Sequence, residues 1–116
     1  MNKGKEAELT AINWLTAQKL TLLESNYSCR FGEIDIIMLD ADTLVFIEVR
    51  LRASNHFGGA ASSVTPAKQR KLITTANHFL MCHKQHTKRF CRFDVIAFES
   101  SSVQCSPVWY KDAFRT

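Results

Sequence analysis

Two strongly apolar stretches, separated by a short polar turn, each carry a carboxylate in their interior. The first is Ile34–Leu39, which contains Asp35, and the second is Leu44–Arg50, which contains Glu48. Runs this rich in Ile, Val, Leu and Phe are typical of strands that are buried on both faces of a sheet. Acidic side chains rarely occupy such places unless they are paired. The pattern therefore predicts a central hairpin whose two carboxylates are the first candidates for function.

The turn fixes the predicted register of this hairpin. A turn over residues 40–43, or a tighter two-residue turn within it, sets Leu39 opposite Leu44 and therefore Asp35 opposite Glu48. Facing residues have Cβ atoms about 4.5–5.5 Å apart, and like charges at that separation repel. A shared proton, a basic neighbour or a bound cation would relieve the repulsion, and the sequence leaves these three open.

The remaining pattern predicts one domain over residues 1–116, with the order helix, strand, hairpin, helix, strand, strand. The predicted bounds are 5–18 for the first helix, 20–29 for the first strand, 66–82 for the second helix, 91–98 for the fourth strand and 103–110 for the last. Thr65 and Pro66 are a good N-cap and first residue for the second helix. Pro107 suggests that the last strand lies at an edge. This order predicts an α/β fold with a mixed central sheet flanked by helices.

Each helix carries a polar residue on its apolar side. Glu8 shares a face with the apolar stripe of the first helix, and Gln69 lies one turn before Leu72. Together with the hairpin carboxylates, these residues suggest one polar pocket. Glu8, Asp35 and Glu48 are suitable oxygen ligands for Mg²⁺ or Mn²⁺.

Structural interpretations of the same residues remain open. Glu8 is also favoured by the dipole at a helix N-terminus, and Gln69 can bond to the backbone. The hairpin carboxylates can be satisfied by neighbouring arginines or by backbone donors. Asp94 is expected to pair with Arg92 or to cap a loop.

Charge is segregated along the chain. Residues 1–48 carry four basic and eight acidic side chains, residues 49–93 carry nine basic and no acidic ones, and residues 94–116 carry two and three. Such a basic block is either an electrostatic footprint for nucleic acid or a solvated face without a partner, and charge alone does not decide between them. The candidate contacts for nucleic acid are Arg52, Lys68, Arg70 and Lys71. On the second helix, Lys68 and Lys71 are expected to point outward.

The sequence also indicates a compartment. The four cysteines form no Cys-x-x-Cys pair, which favours reduced thiols in the cytoplasm. The longest apolar run, Ile34–Leu39, is far short of a membrane span, and the first residues show no apolar signal core. We therefore expect a cytoplasmic protein with no membrane partner.

Six motifs in order along nearly the whole chain resemble the bacterial YraN family. They are Gly4-x-x-x-Glu8, Cys29–Asp35, Val45–Arg50, Gly58–Ala61, Val64–Arg70 and Cys91–Val95. The hairpin segment also resembles the core of PD-(D/E)xK nucleases, a superfamily that includes restriction endonucleases and Holliday junction resolvases. The resemblance implies a restriction endonuclease-like three-layer core and metal binding at Glu8, Asp35 and Glu48. It also implies a glutamine near the site, at Gln69.

Arg50 departs from the superfamily motif, which has lysine at this position to orient or help activate the attacking water. Arginine cannot act as a base, although it can stabilise developing charge on a phosphate. In the predicted register Arg50 also lies opposite Glu33, its alternative partner.

Two functions follow from the resemblance and stay open. One is an endonuclease that uses Mg²⁺ or Mn²⁺ on branched, damaged or single-stranded DNA, with Asp35, Glu48, Arg50 and Gln69 as catalytic residues. The other is an inactive nuclease-fold module that binds DNA or another protein. Related resolvases are dimers, so the resemblance also leaves a homodimer open.

Overall fold

The computed structural model describes residues 3–51, 64–98 and 106–115. These ranges contain two α-helices, five β-strands and a 3₁₀ turn at Lys84–His86. The helices are α1 (Lys3–Ala17) and α2 (Pro66–Cys82), and the strands are β1 (Thr21–Cys29), β2 (Gly32–Asp40), β3 (Thr43–Leu51), β4 (Cys91–Phe98) and β5 (Val108–Phe114). The strands form one sheet in the order β1-β2-β3-β4-β5, in which β3 and β4 are parallel and the other neighbours are antiparallel.

The two helices cover opposite faces of this sheet. On one face, the buried stripe of α1 packs against alternate residues of the central strands; this cluster includes Ala7, Ala11, Leu15, Ile36, Met38, Val45, Ile47, Ile96 and Phe98. On the other face, α2 packs against the intervening residues; this cluster includes Leu72, Ala76, Phe79, Ile34, Ile37, Leu44, Phe46, Phe93 and Val95. The predicted mixed sheet and three-layer α/β core are therefore confirmed. In the described ranges, neither helix has an apolar stretch long enough to cross a bilayer.

Helix α2 begins and ends where the sequence predicts. Thr65 has an extended backbone, and its side chain accepts a hydrogen bond of 3.2 Å from the Lys68 N–H, while Pro66 occupies the first turn. This cap satisfies a donor that the helix geometry leaves free.

The last strand differs from its prediction. Strand β5 begins at Val108 and continues to Phe114, and residues 99–105 lie outside the described residues. It extends further because the ladder with β4 has an irregularity at Lys111 and Asp112, where Asp112 has a φ of 54°, and pairing resumes at Phe114, which packs on the core. The predicted edge position is confirmed.

Asp94 on β4 is the centre of a buried polar network. The residue is 1% exposed, and its side chain accepts hydrogen bonds from Arg92, from Trp109 Nε1 at 2.9 Å and from the Asp112 N–H at 2.8 Å. Arg92 also pairs with Asp40 at 2.8 Å. The network ties β5 to β4, so the structural interpretation of Asp94 is confirmed.

Candidate active site

The central hairpin separates at Asp35. The ladder between β2 and β3 begins at a two-residue turn and includes the predicted pair Leu39–Leu44, but it ends at Ile36–Ile47. Before Ile36, β2 continues to pair with β1, while β3 beyond Ile47 continues to pair with β4. We call this divergence the fork. It opens the sheet at the end where the predicted carboxylates lie.

At the fork, the side chain of Asp35 accepts a backbone hydrogen bond in place of a carbonyl group of the ladder. The Val49 N–H donates to Asp35 Oδ2 at 2.8 Å. The side-chain alternation of β2 also breaks here, since Ile34 packs on the α2 face and Ile36 on the α1 face. Asp35 and Glu48 are therefore not the pair within the ladder that the register predicted. The Asp35 carboxylate instead accepts the Val49 N–H across the fork.

Glu48 lies on the α2 face of β3 and is 6% exposed. Two cations approach the same oxygen of its carboxylate: Arg50 Nη2 lies 3.6 Å and Lys68 Nζ lies 3.8 Å from Oε2. Both cationic side chains are about one-third exposed, so one side of the buried carboxylate is bordered by partly solvated positive charge.

The pKa of Glu48 is raised from 4.5 to about 7. Burial is the largest cause, followed by the charge of Asp35, and a side-chain hydrogen bond with Asp35 acts in the same direction. The charges of Lys68 and Arg50 lower the pKa but do not offset these effects. Burial and the neighbouring Asp35 therefore favour the protonated form of Glu48 below about pH 7, and the basic neighbours compensate only in part.

Glu8 approaches Asp35 from the opposite helix, α1. Burial raises its pKa, the charge of Asp35 raises it further, and a hydrogen bond from the Asn26 side chain acts in the other direction. The Glu8 Oε1 atom is buried and has no hydrogen-bond partner among the described residues. Asp35 thus acts electrostatically on Glu8 on one side and on Glu48 on the other.

These three carboxylates have the donor chemistry of a Mg²⁺ or Mn²⁺ site. Hard oxygen ligands suit both ions, and an unpartnered buried oxygen is available on Glu8. Within residues 3–51, 64–98 and 106–115, however, no three acidic, histidine or cysteine side chains already surround a common point at ligating distances. Metal binding by Glu8, Asp35 and Glu48 stays a prediction, and it requires an adjustment of these side chains.

Arg50 does not follow its alternative prediction. Since the β2–β3 ladder ends at Ile36–Ile47, the register that set Arg50 opposite Glu33 does not extend to them, and Arg50 instead contacts Glu48. The Arg50 Nε atom is buried and has no hydrogen-bond partner among the described residues.

Gln69 has a structural contact. Its side-chain Nε2 donates to the Val64 carbonyl oxygen at 2.9 Å, and its backbone N–H donates to the Thr65 carbonyl oxygen at 2.8 Å. Gln69 thereby closes the start of α2, and a catalytic role for it stays a prediction.

The four basic candidates for nucleic-acid contact separate into groups. Arg70 and Lys71 are exposed on α2, whereas Lys68 reaches inward to Glu48, contrary to the expectation that it points outward. The sequence contained a signal for this, because Lys68 precedes the buried Leu72 by four residues. Arg52 lies outside the described residues.

The chain is closely similar to a set of bacterial proteins. The profile of the family described as "Uncharacterised protein family UPF0102" matches residues 7–98. A UPF0102 protein of Nitrosomonas europaea is 52% identical over 97% of this chain and 93% of its own length. UPF0102 proteins of Psychromonas ingrahamii (51% identical, over 98% of this chain and 90% of the relative) and Alcanivorax borkumensis (50%, over 97% and 91%) are similar to the same extent. The chain therefore belongs to the UPF0102 family.

Proposed function

We propose that this protein binds DNA and hydrolyses phosphodiester bonds with Mg²⁺ or Mn²⁺ held by Glu8, Asp35 and Glu48. The observation that carries the proposal is the meeting of Asp35 and Glu48 at the fork, beside two cationic side chains. Carboxylates that bind a cation and cations that bind a phosphate are both needed at one place for such chemistry.

The pKa of Glu48 supports a functional interpretation over a purely structural one. In a well-satisfied structural ion pair, the partners hold the carboxylate in its charged form. Glu48 has two cationic neighbours and still has its pKa raised to about 7. Perturbed carboxylates of this kind concentrate at functional sites.

Each side chain has a distinct role in the proposal. The three carboxylates hold the divalent ion, which supplies Lewis-acid stabilisation of phosphate charge and a more acidic bound water. Arg50 donates from its unpartnered Nε–H to a non-bridging phosphate oxygen.

Lys68 supplies the ammonium group that the hairpin lacks because arginine occupies position 50. Its Nζ atom lies 3.8 Å from Glu48 Oε2, on the same oxygen that Arg50 approaches. From α2 it orients the attacking water. The catalytic contribution of Lys68 therefore comes in addition to the phosphate contact predicted from the sequence.

The proposal is tested by a cleavage panel over duplex, single-stranded, flap and four-way DNA with Mn²⁺. Wild-type protein should cleave at least one substrate, and Glu48→Ala and Asp35→Asn should abolish this cleavage. Asp42→Ala is the matched control, since Asp42 is an exposed carboxylate at the hairpin turn. Cleavage that persists in Glu48→Ala would contradict the proposal.

Metal binding has an independent measurement in the thermal unfolding curve. An ion that binds only the folded state stabilises it by about 2.7 kcal/mol at a hundredfold excess over its dissociation constant. Mn²⁺ should therefore raise the melting temperature of the wild-type protein relative to chelator, and Asp35→Asn should remove the increase. An equal increase in both proteins would exclude this site as its source.

The second candidate function is DNA binding without cleavage, and Arg50 favours it because it replaces the motif lysine. Binding would then weaken steeply with salt through counterion release, and Lys68→Ala would weaken it with no cleavage to lose. The free thiols of Cys29, Cys82 and Cys91 agree with a reducing compartment such as the bacterial cytoplasm for either function.

A further inference from the structure

Phe31 is an exposed aromatic side chain in the turn between β1 and β2. The residue is 39% exposed and lines a shallow cavity of about 330 Å³. The guanidinium carbon of Arg30 lies 4.9 Å from the ring centroid. The rest of the cavity is formed by α2, and its other lining residues are Ala67, Arg70, Lys71 and Thr74.

The turn that carries Phe31 is fixed against α2 by the next residue. Gly32 has a φ of +147°, and a Cβ atom at this position would lie 3.2 Å from the buried Thr75 Oγ1. The Phe31 ring also meets His78 edge-on, with the ring centroids 6.1 Å apart. The Phe31 side chain is thus held in place by the packing of its turn against α2.

The positive charges around the Phe31 ring indicate which class of partner fits this surface. Two of the five lining residues are cations and none is acidic, while Arg30 adds a third cation at the ring. An apolar peptide would have to cover these charges without neutralising them. A nucleotide satisfies both features, because its base has a flat apolar face and its phosphate is an anion.

We propose that Phe31 is a stacking platform for an unpaired base of single-stranded nucleic acid, and that Arg70 and Lys71 hold the adjoining phosphates. This inference deepens the proposed function and rests on it. It narrows the substrate class to strands with at least one unpaired nucleotide, since a base within a duplex is already stacked between its neighbours.

The cavity and the fork lie along the same helix. Lys71 lines the cavity and Lys68, three residues earlier, contacts Glu48. Residues at this spacing are neighbours on a helix surface, with Cβ atoms about 5–6 Å apart. A strand whose base stacks on Phe31 can therefore follow α2 from Lys71 to Lys68 and bring a neighbouring phosphate to the carboxylates.

The test measures binding by fluorescence anisotropy in chelator, so that no cleavage is required. Wild-type protein should bind an oligothymidylate more tightly than a base-free sugar–phosphate oligomer of equal length. Phe31→Ala should weaken oligothymidylate binding about tenfold and bind both oligomers equally, because stacking on one aromatic ring contributes on this scale. Phe90→Ala is the matched control and should leave binding unchanged, since Phe90 is 86% exposed and lies immediately before β4.

A second variant distinguishes the loss of stacking from unfolding of the protein. Phe31→Trp should retain affinity for oligothymidylate, and its added indole fluorescence should be quenched on binding. A ribose oligomer with the same thymine bases, measured in parallel, should show the same dependence on Phe31, because stacking uses the base and not the sugar. A dependence found with the deoxyribose oligomer alone would assign the platform to DNA.

The outcomes separate this inference from the function on which it rests. Equal oligothymidylate binding by wild type, Phe31→Ala and Phe31→Trp, without quenching, would overturn the stacking platform and leave the DNA-binding proposal in place. Failure of the wild-type protein to bind any nucleic acid would overturn both.

Discussion

Replacing Glu48 by glutamine should stabilise the protein near pH 8 and have little effect near pH 4. Glutamine has nearly the same shape and stays neutral at both pH values. It also offers an amide donor to Asp35 in place of the O–H group of the protonated Glu48 carboxyl. The substitution therefore isolates the effect of charging Glu48 in its buried position at the fork.

The magnitude follows from the pKa of Glu48. Its rise from 4.5 to about 7 means that the folded state holds a proton that the unfolded state has already released between these values. The stability that protonated Glu48 contributes is thus fully present below pH 4.5 and is lost as the pH rises through about 7. At about 1.4 kcal/mol per pKa unit, the loss amounts to about 3 kcal/mol near pH 8, and Glu48→Gln should recover most of it.

The measurement is urea unfolding of wild type and variant near pH 4 and pH 8, analysed by linear extrapolation. Glu33→Gln is the control, because Glu33 is an exposed glutamate on the same hairpin and its substitution should change stability by less than about 0.5 kcal/mol. A structural ion pair with Arg50 and Lys68 predicts the opposite sign, since breaking a buried pair costs about 3–5 kcal/mol. Destabilisation of Glu48→Gln near pH 8 would therefore refute the reasoning.

Two further substitutions test the supports around the site. Asp94→Ala should destabilise the fold by about 3–5 kcal/mol in urea unfolding, because it leaves Arg92 and the Trp109 N–H without their shared acceptor; a loss below about 1 kcal/mol would show that the network is dispensable. Gly32→Ala should cost about 1–3 kcal/mol, because its φ of +147° disfavours a side chain and the new methyl group meets Thr75, and an unchanged melting temperature would contradict this.

Local sequence rules predicted the elements that depend on local interactions. The cap at Thr65, the start of α2 at Pro66 and the strand Cys91–Phe98 all follow from spacing and apolar pattern. The hairpin register near its turn was also predicted, down to Ile37 opposite Phe46. In each case the pattern and the packing favour the same conformation.

The fork could not be predicted from alternation alone. A strict two-residue period continues the ladder through Asp35, whereas the structure ends it there because the Asp35 carboxylate accepts the Val49 N–H. This bond depends on the tertiary arrangement of two separate strand segments. The inward position of Lys68 has a different origin. A lysine is expected to be solvated, but its spacing of four residues from the buried Leu72 places it on the packed side of α2, where Glu48 lies within 3.8 Å.

The fork has a consequence for how the layers of the protein communicate. A continuous sheet separates the residues of the two helical layers on its opposite faces. At Asp35 the strands β2 and β3 no longer pair, and Glu8 from the α1 layer and Lys68 from the α2 layer approach this opening. An ion or phosphate bound in this opening would contact side chains from both layers. Amide hydrogen exchange should therefore become slower in α1 and α2 together when one ligand binds.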